Sequence, residues 1–267
     1  MNPISSDDKW ATGDAYEAFM GRWSRKLATE FIRWLGPEPG LTWLDVGCGT
    51  GALASTICSL ADPSSVVACD PSESFVEHTK RRIADPRISV VVGVDGDLPR
   101  SSKGFDRVVS GLVLNFLPDA RQSVQEMWTR SCGGGVVAAY VWDYAGRMEF
   151  LRVFWDEAVA LDAKARDLDE GVRFAMCRPD ALESIFRNAG LRDTRSVALE
   201  IPTRFESFSD YWGPFLGGTG PAPAYVASLT EGMRSKLGDR LESRLRPGTE
   251  GAIELVARAW AIRGTSD

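Results

Sequence analysis

The chain has 267 residues, 44% hydrophobic and 25% charged, with a formal net charge of −6 at neutral pH. That length can bury a full core as one α/β domain with or without an insertion, and the acidic balance argues against a general nucleic-acid or anionic-membrane binder. The single histidine, His78, excludes any site that needs two, and the five scattered cysteines show no zinc or redox spacing. No apolar run reaches the length of a membrane span, and the first residues lack the basic start and apolar core of a secretory signal. A cytoplasmic protein with reduced thiols, no metal and no membrane or nucleic-acid partner is therefore expected.

In chain order, Tyr16, Phe19, Met20, Trp23, Leu27, Phe31 and Leu35 recur at three and four, which predicts helix from Asp14 to Leu35, whole or parted at Gly21. Gly36-Pro37-Glu38-Pro39-Gly40 ends it, so residues 1–40 are expected to form a helical flap. A first strand runs from Leu41 to Val46, and Ala52, Leu53, Ile57 and Leu60 stripe the helix that follows its glycine turn. Val66 to Cys69 is a second strand ending in Asp70; Phe75, Val76, Thr79 and Ile83 then carry a helix on which His78 faces outward in a structural role. Ile88–Val92 and Phe105–Ser110 read as strands three and four. Pro118-Asp119 opens a helix with Val124, Met127 and Trp128 on one side, and Gly133-Gly134-Gly135 leads into a fifth strand, Val136–Trp142. Strands alternating with helices predict a doubly wound parallel sheet, which binds ligands above its strands' carboxyl ends.

Beyond Trp142, Glu149–Leu161 and Pro179–Ala189 read as helices, Ser196–Ile201 as a sixth strand and Ile253–Ile262 as a seventh. Tyr225, Leu229, Met233, Leu237, Leu241 and Leu245 recur at four, on one helix or a broken pair. The expected architecture is thus a seven-stranded, mostly parallel sheet over residues 41–206 and 250–267, with a helical insertion over 207–249 before the last strand.

The chemistry centres on Asp45-Val46-Gly47-Cys48-Gly49-Thr50-Gly51, a strand end, a tight loop and a helix start. Gly47, Gly49 and Ala52 satisfy one form of the dinucleotide fingerprint, which makes a nicotinamide-dependent oxidoreductase one reading. Asp45 favours another: a carboxylate beside the loop repels a pyrophosphate and attracts an ammonium or sulfonium. Asp70 is placed to accept hydrogen bonds from ribose hydroxyls in either case.

Together, the Asp45–Gly51 loop, Asp70, the Gly93-Val94-Asp95-Gly96-Asp97-Leu98-Pro99 turn and the Phe105–Val109 strand resemble the class I S-adenosylmethionine-dependent methyltransferases. The likeness is to the small-molecule branch often called type 11 or type 25 domains, and Met20-Gly21-Arg22-Trp23-Ser24-Arg25 resembles its N-terminal helices. The branch commonly has Asp where Val94 stands, so the adenine contact falls to Asp95 or to a main-chain carbonyl. The resemblance implies S-adenosyl-L-methionine as cofactor and a site drawn from Tyr16, Arg25, Asp45, Gly47, Cys48, Gly49, Asp70, Pro71, Asp95, Gly96 and Ser110. It implies in-line methyl transfer to a small molecule, with no metal and no covalent intermediate. The Asn/Asp-Pro-Pro-Tyr/Phe signature of amino-methylating nucleic-acid enzymes is absent after strand four, where Ser110-Gly111-Leu112-Val113 stands. Tyr16, Asp143 and Tyr144 are the candidates for a base, none assigned as catalytic. A scaffold that keeps the cofactor fold without catalysis is the remaining alternative.

Overall fold

Short apolar runs separated by amphipathic stretches give a layered α/β structure, as the alternation predicts. The computed structural model describes residues 17–217, 220–245 and 251–267. Seven strands, β1 (Thr42–Val46), β2 (Ser65–Asp70), β3 (Ile88–Val92), β4 (Phe105–Gly111), β5 (Ser131–Trp142), β6 (Arg192–Phe205) and β7 (Ile253–Thr265), form one sheet in the order β3-β2-β1-β4-β5-β7-β6. The first five are parallel, and β7 runs antiparallel to both β5 and β6. Strand order reverses between β1 and β4, so their carboxyl ends open a crevice there.

Central strands are covered on both faces, which explains their near-continuous apolar runs: Val137 through Trp142 are all at most 2% exposed. Helices α1 (Arg22–Leu35), α2 (Ala52–Leu60), α3 (Glu73–Arg82), α4 (Ala120–Arg130), α5 (Glu149–Leu161) and α6 (Pro179–Asn188) supply the cover. A π-helical turn, Glu17–Gly21, precedes α1, so the break at Gly21 separates two elements. Trp23, Leu27, Phe31 and Leu35 form the buried stripe of α1. In α2 the inner face is Leu53, Ala54, Ile57 and Cys58, leaving Leu60 48% exposed. The predicted stripe was rotated by one position because alanine and cysteine, not only the larger aliphatics, carry the helical period here.

The glycines Gly133–Gly135 lie inside β5 rather than before it. Phe105 pairs with Ser131 while Arg107 pairs with Val136, so the extra residues form a bulge, with Gly134 at φ +75°. Strand β6 is longer than predicted at both ends because it pairs with β7 from Arg192 to Phe205. As an edge strand it tolerates exposed Arg195 and Glu200 and an internal Pro202, which blurred its pattern.

Between β6 and β7 the chain makes short turns at Phe208–Trp212 and Gly213–Gly217, then α7 (Pro221–Ser228) and α8 (Glu231–Arg244), the broken pair foreseen from the four-residue repeat. The break falls at Leu229-Thr230, where the Thr230 hydroxyl caps α8. Helix α8 docks on α5 through Glu157, which accepts from Arg240 Nε at 2.8 Å and from an Arg244 guanidinium nitrogen at 2.8 Å. Two short elements, Ala163–Asp167 and Glu170–Arg173, were not anticipated, being too short to show a period; Asp162 and Asp169 cap them.

Removing the Glu157 carboxylate takes a partner from two half-exposed arginines, of which Arg244 keeps Asp156 at 2.9 Å. Glu157→Ala is expected to cost about 1–2 kcal/mol, discounted for solvent screening, and to speed proteolysis within α8; chemical denaturation and limited proteolysis measure both.

Candidate functional site

The loop after β1 is tied to the end of β2. The amides of Gly47 and Cys48 both donate to the Cys69 carbonyl, at 2.8 and 2.9 Å, the Gly49 amide donates to Asp70 Oδ2 at 3.0 Å, and the Gly51 amide donates to the Cys48 carbonyl at 2.8 Å. Gly47 sits at φ +75°, and a Cβ there would fall 2.6 Å from a Val113 methyl, so only glycine lets the loop pack this closely on the segment after β4. Four amides of the turn are therefore consumed by the fold. A phosphate cradle needs such donors pointed at the ligand.

Asp45, at the end of β1, is fully buried, and neither carboxylate oxygen has a hydrogen-bond partner. Burial, and next the Asp70 charge, push its pKa up to about 7; the Ala54 amide opposes them without meeting hydrogen-bond geometry. The Asp70 carboxyl is also raised, by burial, against the pull of its bonds from the Ser72 and Gly49 amides. Cys48 is buried in the loop, and its thiol is pushed far up by burial and then by Asp45 and Asp70. A pair of carboxylates under one glycine turn makes the site hospitable to a cation and hostile to a pyrophosphate.

Above these strand ends lies a cavity of about 410 Å³, within the range of small-molecule sites. Asp45, Gly47, Cys48, Gly49, Asp70, Pro71 and Asp95 all line it. Asp95 does so from the exposed turn after β3, while Val94 pairs back to Asp97, so the carboxylate one place late in the sequence is the one at the rim.

Three other candidates lie elsewhere. Arg25 lines a separate groove behind the loop with Thr29, Ser55 and Arg82, because it is one helical step round from Ser24, which does face the cavity. Gly96 does not line the cavity; its amide donates to Glu126 at 2.6 Å. The Ser110 hydroxyl is buried between strands and donates to the Val46 carbonyl at 2.9 Å. Tyr16 lies outside the described residues.

The remaining wall comes from residues without a motif: Met20 and Ser24 near the start of α1, Leu112, Val113, Phe116 and Leu117 after β4, and Tyr140, Trp142 and Tyr144 at the end of β5. Leu112 holds φ +63°, a left-handed conformation costly for leucine, fixed by its amide bonding the Tyr140 carbonyl at 2.8 Å. Such a position gives no sequence signal. Of the base candidates, Tyr144 lines the cavity, whereas Asp143 is buried in an ion pair with Arg258, at 2.6 Å, and also accepts from the Arg147 amide. That pairing holds Asp143 as a structural carboxylate. Among the described residues no cluster has the composition of a metal site.

A family model described as a methyltransferase domain matches residues 44–135, from β1 to the glycines of β5. A demethylmenaquinone methyltransferase of Desulfitobacterium hafniense is 28% identical over 188 residues, spanning 64% of this chain and 72% of that protein. Among solved structures, phosphoethanolamine N-methyltransferase 2 of Haemonchus contortus, in complex with S-adenosyl-L-methionine, superposes with a TM-score of 0.60 at 14% identity, covering 98% of this chain and 59% of that one. The cyclase SpnF superposes at 0.51 with 15% identity, over 92% and 80%. At these identities the two structures show a shared fold and nothing more. The matched segment contains the glycine loop and Asp70, so that over residues 44–135, about a third of its length, the chain carries a methyltransferase domain.

Proposed function

We propose that this methyltransferase holds S-adenosyl-L-methionine over the carboxyl ends of β1 and β2 and transfers its methyl group to a small-molecule acceptor. The observation that carries the reading is Asp45, a fully buried carboxylate without a hydrogen-bond partner beside a loop whose amides are already bonded. An unpaired buried carboxylate is costly and is relieved by a cation. The cofactor, when bound, supplies a methyl group on a positively charged sulfur that leaves readily as a neutral thioether. Asp45 attracts its positive end; Asp70, with one oxygen latched to Gly49 and the other to Ser72, is held in one orientation for ribose hydroxyls. Asp95 offers an acceptor for the adenine from the rim, and Pro71 lines the cavity next to Asp70. The apolar wall excludes water from the reacting atoms.

A small-molecule acceptor accords with the naming of the Desulfitobacterium relative, which acts on demethylmenaquinone. The dinucleotide reading is disfavoured by the same carboxylate and by the consumed loop amides. The neighbouring cyclase shows that this fold also serves another reaction, so turnover is the second half of the test. Calorimetry with S-adenosylhomocysteine and with NADH, followed by transfer of labelled methyl to an acceptor panel, decides: binding of the first ligand alone with label transfer is expected, and NADH binding alone overturns the reading.

Two substitutions sharpen it. Asp70→Ala loses both the ribose acceptor and the latch on Gly49, and is expected to weaken S-adenosylhomocysteine binding by about 1.5–3 kcal/mol, read by calorimetry on folded protein. Asp45 must ionise to meet a cation, so binding releases a proton below its pKa of about 7. Affinity is expected to rise by up to about tenfold per pH unit on the acid side and to level off near neutrality. Asp45→Asn flattens that profile.

The same change acts oppositely on stability. The folded pKa of Asp45 is above its ordinary value of 3.8, so the stability present below that pH is lost as pH rises through about 7. At pH 8 Asp45→Asn is therefore expected to stabilise the cofactor-free protein by about 1–3 kcal/mol, seen as a raised Tm, while weakening binding.

A further inference from the structure

The acceptor side of the cavity is built from Met20, Leu112, Phe116, Leu117, Trp142 and Tyr144, a surface that rewards the burial of apolar area. Behind it stands a residue that does not line the cavity. Phe174 packs edge-on against Phe116, with ring centroids 5.2 Å apart at 79°, and against Tyr144 at 5.3 Å and 50°. These two contacts join the segment after β4 to the segment after β5. Phe174 thus sets the spacing and tilt of two aromatic rings on the wall.

The bracket is anchored by buried charge rather than left to a loop. Arg152 donates to the Tyr144 carbonyl at 3.0 Å and forms a two-pronged pair with Asp169, both contacts at 2.7 Å. Asp169 in turn caps the turn carrying Glu170, through the Gly171 amide at 2.8 Å, and Glu170 is buried against the Trp155 indole nitrogen. One guanidinium therefore holds the backbone of Tyr144 and the segment bearing Phe174 in fixed relation. Exposed loops seldom receive such bracing, whereas specific binding walls require it. Tyr144, Arg152, Asp169, Glu170 and Phe174 lie beyond the matched methyltransferase segment, which ends at residue 135, and Phe116 lies within it.

We infer that Phe116, Phe174 and Tyr144 form an aromatic bracket that selects an uncharged, planar aromatic acceptor, with Phe174 acting as a positioning residue through its two neighbours. The inference rests on the methyl-transfer reading of the cavity. Aromatic rings stack or meet edge to face in preferred geometries, so a fixed pair of rings favours a flat partner over a puckered one of equal size. A charged acceptor would surrender its hydration to this apolar wall. In the transfer, a lone pair on the acceptor's nucleophilic atom forms the new bond to the methyl carbon as the carbon–sulfur bond breaks. That bonding pair returns to sulfur, giving a neutral thioether, and the acceptor's proton leaves to water.

The test uses the full chain loaded with S-adenosylhomocysteine, and equilibrium dialysis of three probes: 2-naphthol, its flat anionic relative 6-hydroxynaphthalene-2-sulfonate, and the puckered decahydro-2-naphthol. The wild-type protein is expected to bind 2-naphthol at least about tenfold more tightly than either other probe. Phe174→Ala is expected to erase most of the preference for 2-naphthol over decahydro-2-naphthol, Phe174→Tyr to keep it, and both to hold S-adenosylhomocysteine as the wild type does. Equal or tighter binding of the sulfonate, no binding of 2-naphthol, or a flat-over-puckered preference unchanged in Phe174→Ala overturns the bracket. Failure of the wild type to hold S-adenosylhomocysteine overturns the methyl-transfer reading instead, so the two failures are distinguishable.

Discussion

An unpaired carboxylate at the end of the first strand is the constraint around which this molecule is arranged. Asp45 is buried without a donor, next to a second carboxylate, Asp70, that is itself bonded into the loop above. A fold tolerates such an arrangement only where the rest of the sheet is well packed. Strand β1 and its neighbours β2 and β4 supply that packing: Trp43, Leu44, Val66, Ala68, Val108 and Val109 are all fully buried. Close packing of the central strands is what allows an unfavourable carboxyl to persist at their carboxyl ends.

The glycine loop takes a different role from the phosphate cradle that a dinucleotide fingerprint suggests. Its donors turn back on β2, so its contribution is shape: a close approach to Val113 and a fixed seat for Asp70. Carboxylates at the strand ends line one side of the cavity, while the wall opposite is made of side chains from α1, the turn after β4 and the end of β5.

That split also explains what could be read in advance. Strands and helices up to Trp142 were legible because each has its own period and punctuation, and one lining of the cavity was legible because Asp45, Gly47, Asp70 and Asp95 are polar or glycine residues at strand ends. Arg25 was misplaced by one step of helix, a rotation that a pattern with alternating aromatics and arginines does not fix. Ser110 looked like a polar residue at a strand end but spends its hydroxyl on Val46. The acceptor side was nearly silent: Leu112, Phe116 and Leu117 are ordinary apolar residues, and only tertiary packing turns them toward a cavity. The Asp169–Glu170 turn escaped notice because its stability lies in Arg152 and Trp155, 17 and 15 residues back.

Cys48 adds a last consequence. A thiol is a strong nucleophile only as thiolate, and Cys48 lines the cavity. Burial and the two neighbouring carboxylates keep its proton in place. The same two carboxylates that give the cavity its negative character therefore also passivate the thiol in its wall.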